Sequence, residues 1–296
     1  MKKFFTILLL TILSISMIYG KGFKIEKVSF ETLRENYFSN LNFTSFLNSS
    51  NQFFLYSESK KTLLSVKINI LSAFNPEEIY IEEYLKNIDF NIENFKIIDF
   101  EHKSFTLYSG NKIFKISDSG NVISTNKINI DLGKLPLIKK IDEDKYFIVD
   151  KKFYTVSSSG TVLDSFVNIK TSEFIIKPTN IVNFATSDYD LYFITDKNSI
   201  ISYNPLTKMG EIILKEFNNG RIKNIAVEPY TNSIFISFTN NDQDMSIGYL
   251  DLKEQVVIVI DNEKVSDFLG ILINKGFLCV IKKDGYKVFS VLDLVK

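Results

Sequence analysis

The sequence predicts an all-β fold, a β-propeller of six blades with four antiparallel strands in each blade. Two observations lead to this prediction. Short segments rich in β-branched and aromatic residues recur in a unit of about 45 residues, and the gaps between them carry the Ser, Asp, Asn and Gly that reverse a chain. A four-stranded blade occupies about 40 to 50 residues, so six such units account for nearly the whole chain.

The repeat is clearest in two consecutive units. Residues 105–123 hold two apolar runs, a Ser-Asp-Ser-Gly turn and a third run, and residues 146–163 repeat this order around a Ser-Ser-Ser-Gly turn. We expect Gly120 and Gly160 to adopt a positive φ in these turns. Further copies cover 191–213 and 233–257, and weaker copies cover 53–66 and 277–291. An apolar run before each clear copy supplies a fourth strand, at 95–100, 137–141, 181–184 and 222–227.

The two ends of the array are predicted to meet. A single blade cannot bury both of its faces, so neighbouring blades must stack, and a closed ring leaves no exposed end. Ring closure needs a strand from one terminus to pair with the other terminus. Residues 23–28, with the sequence Phe-Lys-Ile-Glu-Lys-Val, are the candidate for this strand.

The order of an apolar strand, a turn with Asp or Ser before Gly, and a Val or Ile strand resembles the blades of the broad NHL-like, YVTN-like and PQQ-like propeller group. The resemblance covers about residues 50 to 296 and implies a propeller fold. The chain has no Trp, so it lacks the Trp-Asp signature of a WD40 array. The turn at 117–120 lacks the flanking Ser and Trp of sialidase-type Asp boxes, which weakens a glycosidase interpretation.

One region departs from the strand pattern. Asn75 is a suitable helix cap, Pro76 fits the first helical turn, and two carboxylates follow near the positive end of the helix dipole. These signals predict a short helical insertion near residues 75–87, although the Ile-Tyr-Ile sequence at 79–81 fits a strand equally well.

The N-terminal segment has the plan of an export signal. Lys2 and Lys3 precede an apolar run over 4–18, and small residues follow at Gly20 and Gly22. We expect residues 1–22 to be a signal peptide and residues 23–296 to form a single propeller domain in the periplasm or outside a bacterial cell. The alternative, an uncleaved anchor, is disfavoured because the run contains Thr and Ser and is shorter than the ~20 residues that span a bilayer. No Cys lies near the signal, so a lipoprotein is not expected, and no integral membrane span is expected after cleavage.

Composition and charge exclude several classes of function. Hydrophobic residues make up 45% of the chain, which is enough for a sizeable core. The chain has 35 basic and 35 acidic residues, so it lacks the excess of basic residues that nucleic acid binding needs. The 27 Phe residues are interpreted as core filling. Cys279 is the single Cys and lies in an apolar strand-like run, which predicts a buried, inert thiol and no intrachain disulfide.

No set of residues points to a catalytic, cofactor or metal site. His102 is the single His, which excludes a multi-His metal site, and it is expected in a solvated loop. Asn240, Asp242 and Asp244 could offer three oxygens to Ca²⁺, but their spacing does not fit an EF-hand and predicts a polar hairpin tip instead. Other acidic loops lie at 142–144 and at 188–190 with Asp196. Four tyrosines near predicted turns could form a recognition surface or pack in the core: Tyr189, Tyr203, Tyr230 and Tyr286.

The expected function is therefore that of an exported, non-enzymatic propeller that presents its loops to an unknown protein partner as an interaction or envelope scaffold module. One alternative is a metal-dependent, lactonase-like propeller hydrolase or lyase with its site in the central channel. A second alternative is a propeller that binds a small ligand. Three or more carboxylates or amides converging at the inner ends of the blades would favour the enzyme, because hard metal ions need several converging oxygens.

Overall fold

The computed structural model describes residues 24–27, 43–47, 52–57, 61–70, 79–133, 136–187, 190–228, 231–240, 243–274, 276–282 and 285–291. The predicted signal peptide, residues 1–22, lies outside these residues and stays a prediction. Among the described residues, no helix has the length and apolar character needed to cross a bilayer.

The described residues form six four-stranded antiparallel sheets and one two-stranded hairpin. Strand β1 (Lys24–Lys27) belongs to the last of these sheets. Sheet I contains β2 (Phe43–Leu47), β3 (Gln52–Ser57), β4 (Thr62–Ile70) and β5 (Ile79–Asn87). Sheet II contains β6 (Lys96–Glu101), β7 (Ser104–Ser109), β8 (Lys112–Ser117) and β9 (Val122–Lys127). Sheet III contains β10 (Leu137–Asp142), β11 (Lys145–Val149), β12 (Phe153–Ser157) and β13 (Val162–Phe166).

The second half of the chain repeats this plan. The small hairpin contains β14 (Ile169–Lys170) and β15 (Ile175–Ile176), and a 3-10 turn, Pro178–Asn180, follows it. Sheet IV contains β16 (Ile181–Thr186), β17 (Leu191–Thr195), β18 (Ile200–Asn204) and β19 (Met209–Leu214). Sheet V contains β20 (Arg221–Glu228), β21 (Ser233–Thr239), β22 (Asp244–Asp251) and β23 (Val256–Lys264). Sheet VI contains β24 (Phe268–Asn274), β25 (Phe277–Lys282), β26 (Gly285–Ser290) and β1.

The first strands of the sheets follow one another in a closed circle. Each of β2, β6, β10, β16 and β20 contacts the first strand of the next sheet, and β24 contacts β2. The pairing of β1 with β26, with Ile25 opposite Val288, builds sheet VI from both ends of the chain. The predicted role of residues 23–28 in joining the termini is therefore confirmed for residues 24–27.

The hydrophobic core is a series of layers between neighbouring sheets, and sheets II to V bury apolar side chains on both faces. Phe147 and Phe193 of sheets III and IV are fully buried in one such layer, and Phe235 and Leu278 of sheets V and VI share another. The ten largest fully buried side chains are all Phe or Tyr. The interpretation of the abundant Phe as core filling is confirmed for these positions.

The helix predicted near residues 75–87 is wrong over 79–87, which form strand β5. This strand pairs with β4 over its full length and places Ile79 opposite Ile70 and Ile81 opposite Ile68. β-Branched residues in facing strands favour the sheet, and this nonlocal pairing outweighs the local cap signal. Residues 75–78 lie outside the described part of the chain.

The two copies of the Ser-x-Ser-Gly turn have the same geometry. Gly120 and Gly160 have φ values of +90° and +86°, as predicted. In each turn the first serine side chain accepts a bond from the backbone N–H four residues later, from Asn121 to Ser117 and from Thr161 to Ser157, both at 3.1 Å. The sequence repeat is therefore a repeat of hydrogen bonding as well as of residue type.

Candidate functional site

In sheets II to V, the hairpins that join the first to the second strand and the third to the fourth strand lie at one end of the sheet, which we call the hairpin face. In sheet II the Asp118 N–H donates to the Lys103 carbonyl at 2.8 Å, and in sheet III the Ser158 N–H donates to the Asp144 carbonyl at 2.8 Å. Each bond ties the two hairpins of a sheet together. In these four sheets the chain enters and leaves at the opposite end, because four antiparallel strands return it to the side where it began.

Bonds between neighbouring sheets also hold the hairpin face together. The Asn126 amide of β9 donates to the Ser158 carbonyl at 2.8 Å, which joins sheet II to sheet III. The Lys208 ammonium, in the β18–β19 hairpin, forms an ion pair of 2.7 Å with Asp164 of β13. The outer strands of sheets II and III thus each contact the outer hairpin of the next sheet.

Of the twelve large apolar side chains that are exposed among the described residues, seven lie in or beside the outer hairpins of four consecutive sheets. Leu206 and Met209, in one hairpin of sheet IV, are 84% and 70% exposed. Five further apolar side chains, in or beside the outer hairpins of sheets II, III and V, are each at least 45% exposed. We call this set the apolar rim: Val122, Ile123, Leu163, Leu206, Met209, Leu252 and Val256.

A polar cavity of about 210 Å³ lies between sheets II and III, next to this rim. One wall is formed by side chains of β6, β7, β8 and β9, and the other by β10, β11 and the outer hairpin of sheet III. We call it the inter-sheet cleft. Its charged lining residues are Asp99, Glu101, Lys115, Lys140, Glu143 and Asp144.

Lys140 is the centre of an ion-pair group on the floor of the cleft. Its Nζ lies 2.7 Å from Asp99 Oδ2 and 2.6 Å from Glu101 Oε2. Burial raises the pKa of the Asp99 carboxyl above its usual value, even though the Lys140 charge acts in the other direction. Burial would lower the pKa of Lys140, but its bonds to Asp99 and Glu101 raise it overall. Lys140 therefore remains a cation and a fixed partner of the two carboxylates.

Tyr146 and His102 complete the inner lining and the mouth of the cleft. Tyr146 is buried, and burial raises the pKa of its phenol, so the hydroxyl stays neutral at neutral pH. His102 lies in the turn between β6 and β7, has φ +49° and is exposed. The prediction of a solvated loop histidine is confirmed, and this loop borders the cleft.

The cleft residues carry a signal that the sequence prediction missed. Asp99 and Lys140 occupy matching places in two consecutive first strands, 41 residues apart. Asn183 and Asn224 occupy matching places in the next two, also 41 residues apart, and the Asn183 amide donates to the Asn224 amide oxygen at 3.3 Å. Polar residues one repeat apart within apolar strands therefore face each other across neighbouring sheets.

Among the residues that the structure describes, the first strands do not gather three carboxylates at one point. The described residues contain no group of three or more His, Cys, Asp or Glu side chains that could hold a metal ion. Asn224 donates to the Ser237 hydroxyl at 3.1 Å, so its amide is engaged on both sides. Burial lowers the pKa of the half-buried Lys96. The first strands also contain exposed lysine, at Lys139, so they carry amino groups as well as carboxylates.

The acidic loops named in the sequence lie apart from one another. Asp142 pairs with Lys145 at 2.7 Å, and the Asp196 carboxylate accepts a bond from Asn180 at 3.2 Å. Asn240 donates to the Ser246 hydroxyl at 3.1 Å, and Asp242 lies outside the described residues, so calcium binding there is untested. Tyr203 is buried, while Tyr189, Tyr230 and the side chain of Tyr286 lie outside the described part.

Cys279 is fully buried in β25, as predicted. Burial raises the pKa of its thiol to about 12. A thiol that stays protonated and shielded is a poor nucleophile, which agrees with the interpretation of an inert core residue.

Solved structures resemble this fold, while sequence comparisons give no match. No protein-family model matches the chain, and no curated protein matches it. Virginiamycin B lyase from Staphylococcus aureus has a TM-score of 0.55 and 13% identity, over 91% of this chain and 99% of that chain. A luciferin-regenerating enzyme has a TM-score of 0.50 and 10% identity, over 91% of this chain and 95% of that chain. At these identities the likeness concerns the fold alone, and together with the circle of four-stranded sheets it confirms the predicted β-propeller.

Proposed function

We propose that this chain is an exported, non-enzymatic β-propeller that binds a protein partner through its hairpin face. The apolar rim is the observation that carries the proposal. Contiguous or clustered apolar side chains on a surface mark interaction sites, since burying them against a partner removes them from water. A Leu or Met anchored in a partner's pocket contributes strongly to such an interface.

The position of the rim supports a docking role. Leu206 and Met209 belong to a hairpin turn that is held by hydrogen bonds from the Leu206 and Thr207 N–H groups to the Asn204 side-chain oxygen, at 3.0 and 3.1 Å. A side chain presented on a fixed turn loses little backbone entropy when it binds, so more of its burial energy is available for affinity. The core of the molecule contains other apolar residues, but they are enclosed between sheets and are not available to a partner.

The polar and charged residues around the rim also resemble the border of a protein–protein interface. Interfaces combine an apolar centre with a polar border that forms hydrogen bonds and ion pairs. The hairpin face provides exposed Ser, Asp, Asn and Lys side chains at the turns of sheets II and III, next to Val122 and Leu163. We propose the bacterial envelope or the cell exterior as the location of this scaffold, because residues 1–22 have the pattern of an export signal.

The test is affinity capture from the native envelope fraction with purified full-length chain and two double variants. Leu206→Ser with Met209→Ser removes two anchors of the rim. The matched control, Val167→Ser with Ile175→Ser, removes two apolar side chains of 52% and 56% exposure that lie outside the rim. We expect a partner that the wild type and the control retain and the rim variant loses. Equal capture by both variants, or no captured protein, would contradict the proposed function.

A further inference from the structure

We propose that the inter-sheet cleft receives a lysine or arginine side chain of the protein partner. This inference rests on the proposed function, because it assigns the kind of partner that the hairpin face recognises. It also makes a separate statement about one site, which can fail while the partner-binding role stands.

The charge balance of the cleft favours a cation. Its lining holds four carboxylates, from Asp99, Glu101, Glu143 and Asp144, and two ammonium groups, from Lys115 and Lys140. The cleft therefore carries two net negative charges when His102 is neutral. A cleft whose lining has an excess of one charge, between protein walls of low dielectric constant, attracts groups of the opposite charge.

The distribution of these charges separates a fixed floor from an open mouth. On the floor, Lys140 pairs with both Asp99 and Glu101, which leaves one negative charge without a matching cation. Glu143 and Asp144 are exposed in the β10–β11 hairpin and form no salt bridge with a described residue. An incoming ammonium or guanidinium group would meet these two carboxylates first and would not need to displace an existing pair.

The remaining lining suits the donors of a basic head group. Thr106 and Ser124 contribute hydroxyl oxygens to the walls, and Tyr146 contributes a phenol that stays neutral at neutral pH. Hydroxyl oxygens accept hydrogen bonds from ammonium and guanidinium groups, which are donors only. The volume of about 210 Å³ is several times that of a water molecule, so a side-chain head and part of its stem can enter.

The cleft adjoins the apolar rim, which connects it to the proposed interface. Val122, a rim residue that is 52% exposed, lies two positions before Ser124 on the same strand. A partner segment with a basic residue close to an apolar one can therefore contact both features at once. This combination of charge and apolar contact is the specificity that we assign to the hairpin face.

The test uses fluorescently labelled hexalysine, hexaarginine and hexaglutamate peptides as probes of the purified full-length chain, with fluorescence anisotropy at low salt as the readout. Glu143→Gln with Asp144→Asn removes the charges at the mouth of the cleft. The matched control is Glu93→Gln with Glu216→Gln, two exposed carboxylates just before β6 and just after β19, at the end opposite the hairpin face, with the same change in net charge. We expect the cleft variant to weaken hexalysine or hexaarginine binding by about fivefold or more, and the control by less than about twofold.

Two outcomes would overturn the inference. Equal weakening by the cleft variant and the control would mean that the peptides sense only the overall charge, and tighter binding of hexaglutamate would mean that the cleft prefers anions. Ser124→Lys supplies an independent check, because it places a competing ammonium in the cleft and should reduce binding of the basic peptides, while unchanged binding would count against the site. Circular dichroism confirms that each variant is folded.

The rim variant keeps this test separate from the proposed function. Leu206→Ser with Met209→Ser should bind hexalysine as the wild type does, since it leaves the cleft unchanged, but should lose the captured partner. If the rim variant retains the partner, the proposed function fails whatever the peptides do. If the cleft variants retain full affinity for the basic peptides, the inference fails while capture through the rim stands.

Discussion

The carbonyl oxygen of Lys127 lies where a side chain at Gly160 would have to be. A β-carbon built at Gly160 would come 2.2 Å from this oxygen, well inside van der Waals contact. Lys127 ends the outer strand of sheet II, and Gly160 lies in the outer hairpin of sheet III. The same relation recurs one sheet earlier, where a β-carbon at Gly120 would come 3.0 Å from the carbonyl oxygen of Asp89. Because glycine has no side chain, the repeated turn can lie close to the backbone of the neighbouring sheet.

Gly160→Ala should destabilise the protein strongly. The substitution places a β-carbon against the Lys127 backbone and forces Ala into φ +86°, so strain and displacement add. We expect a loss of about 3 kcal/mol in the free energy of unfolding, measured by urea denaturation.

Gly276→Ala is the matched control for this prediction. Gly276 has φ +84°, close to that of Gly160, but a β-carbon there meets nothing within 4 Å. Its cost should be confined to the backbone conformation, about 1 kcal/mol. Equal destabilisation by the two substitutions would show that contact between sheets II and III does not constrain Gly160.

Lys287→Met should weaken the junction of sheets V and VI. Lys287 of β26 is 7% exposed, and its Nζ lies 2.9 and 3.2 Å from the two carboxylate oxygens of Asp261 on β23 and also pairs with Glu263. Removing the cation leaves buried carboxylates short of a partner, which typically costs about 3 kcal/mol.

Lys145→Met serves as the comparison for that substitution, because the Lys145–Asp142 pair is exposed to solvent and should contribute little to stability. Urea denaturation of both variants measures the difference. A similar small loss from each would show that the pair between sheets V and VI is not a significant link in the ring.

Tyr203 should make the fold sensitive to alkaline pH. Burial, helped by the charge of Asp164, raises the pKa of its phenol to about 12. The unfolded phenol ionises near its usual pKa of about 10, so the unfolded state gains stability relative to the folded state as pH rises from about 10 to about 12.

Tyr203→Phe removes this contribution and should lessen the loss of stability between pH 9 and pH 12 by about 2 kcal/mol. The free energy of unfolding of the wild type and the variant, measured across this range, provides the comparison. Parallel curves for the two proteins would mean that the Tyr203 phenol is accessible to hydroxide in the folded state.

Cys279 should resist alkylation while the protein is folded. It has no solvent exposure, and burial raises the pKa of its thiol to about 12, so the thiolate that reacts with iodoacetamide is scarce at pH 8. We expect no modification of the native chain by mass spectrometry, and a single modification after unfolding in urea, since the sequence contains one Cys. Rapid modification of the native chain would place the thiol at the surface.

Most of the fold was predictable because its signals are local. The apolar runs and the turn residues at 117–120 and 157–160 specify strands and reversals within a few residues, and the structure places strands β8, β9, β12 and β13 around those turns. The failure at 79–87 has the opposite cause. Asn75 and Pro76 gave a local helix signal, whereas strand β5 is determined by its pairing with β4.

The cleft was not predicted because its residues are distant in sequence and belong to different sheets. Asp99 and Lys140 become neighbours only when sheets II and III stack, and each residue alone is an ordinary polar position in a strand. Comparing residues one repeat apart would have found the pair. The apolar rim was missed for a related reason, since exposure of Leu206 and Met209 depends on which sheet faces are covered.

Site-specific photo-crosslinking in the native cell tests the central claim most directly. A photoreactive phenylalanine analogue at Met209 lies on the hairpin face, and the same analogue at Val167 lies outside the apolar rim with its side chain also exposed. The account predicts a crosslinked adduct of higher mass from position 209 and none from position 167. Adducts from position 167 alone, or from neither position, would contradict recognition of a partner through the hairpin face.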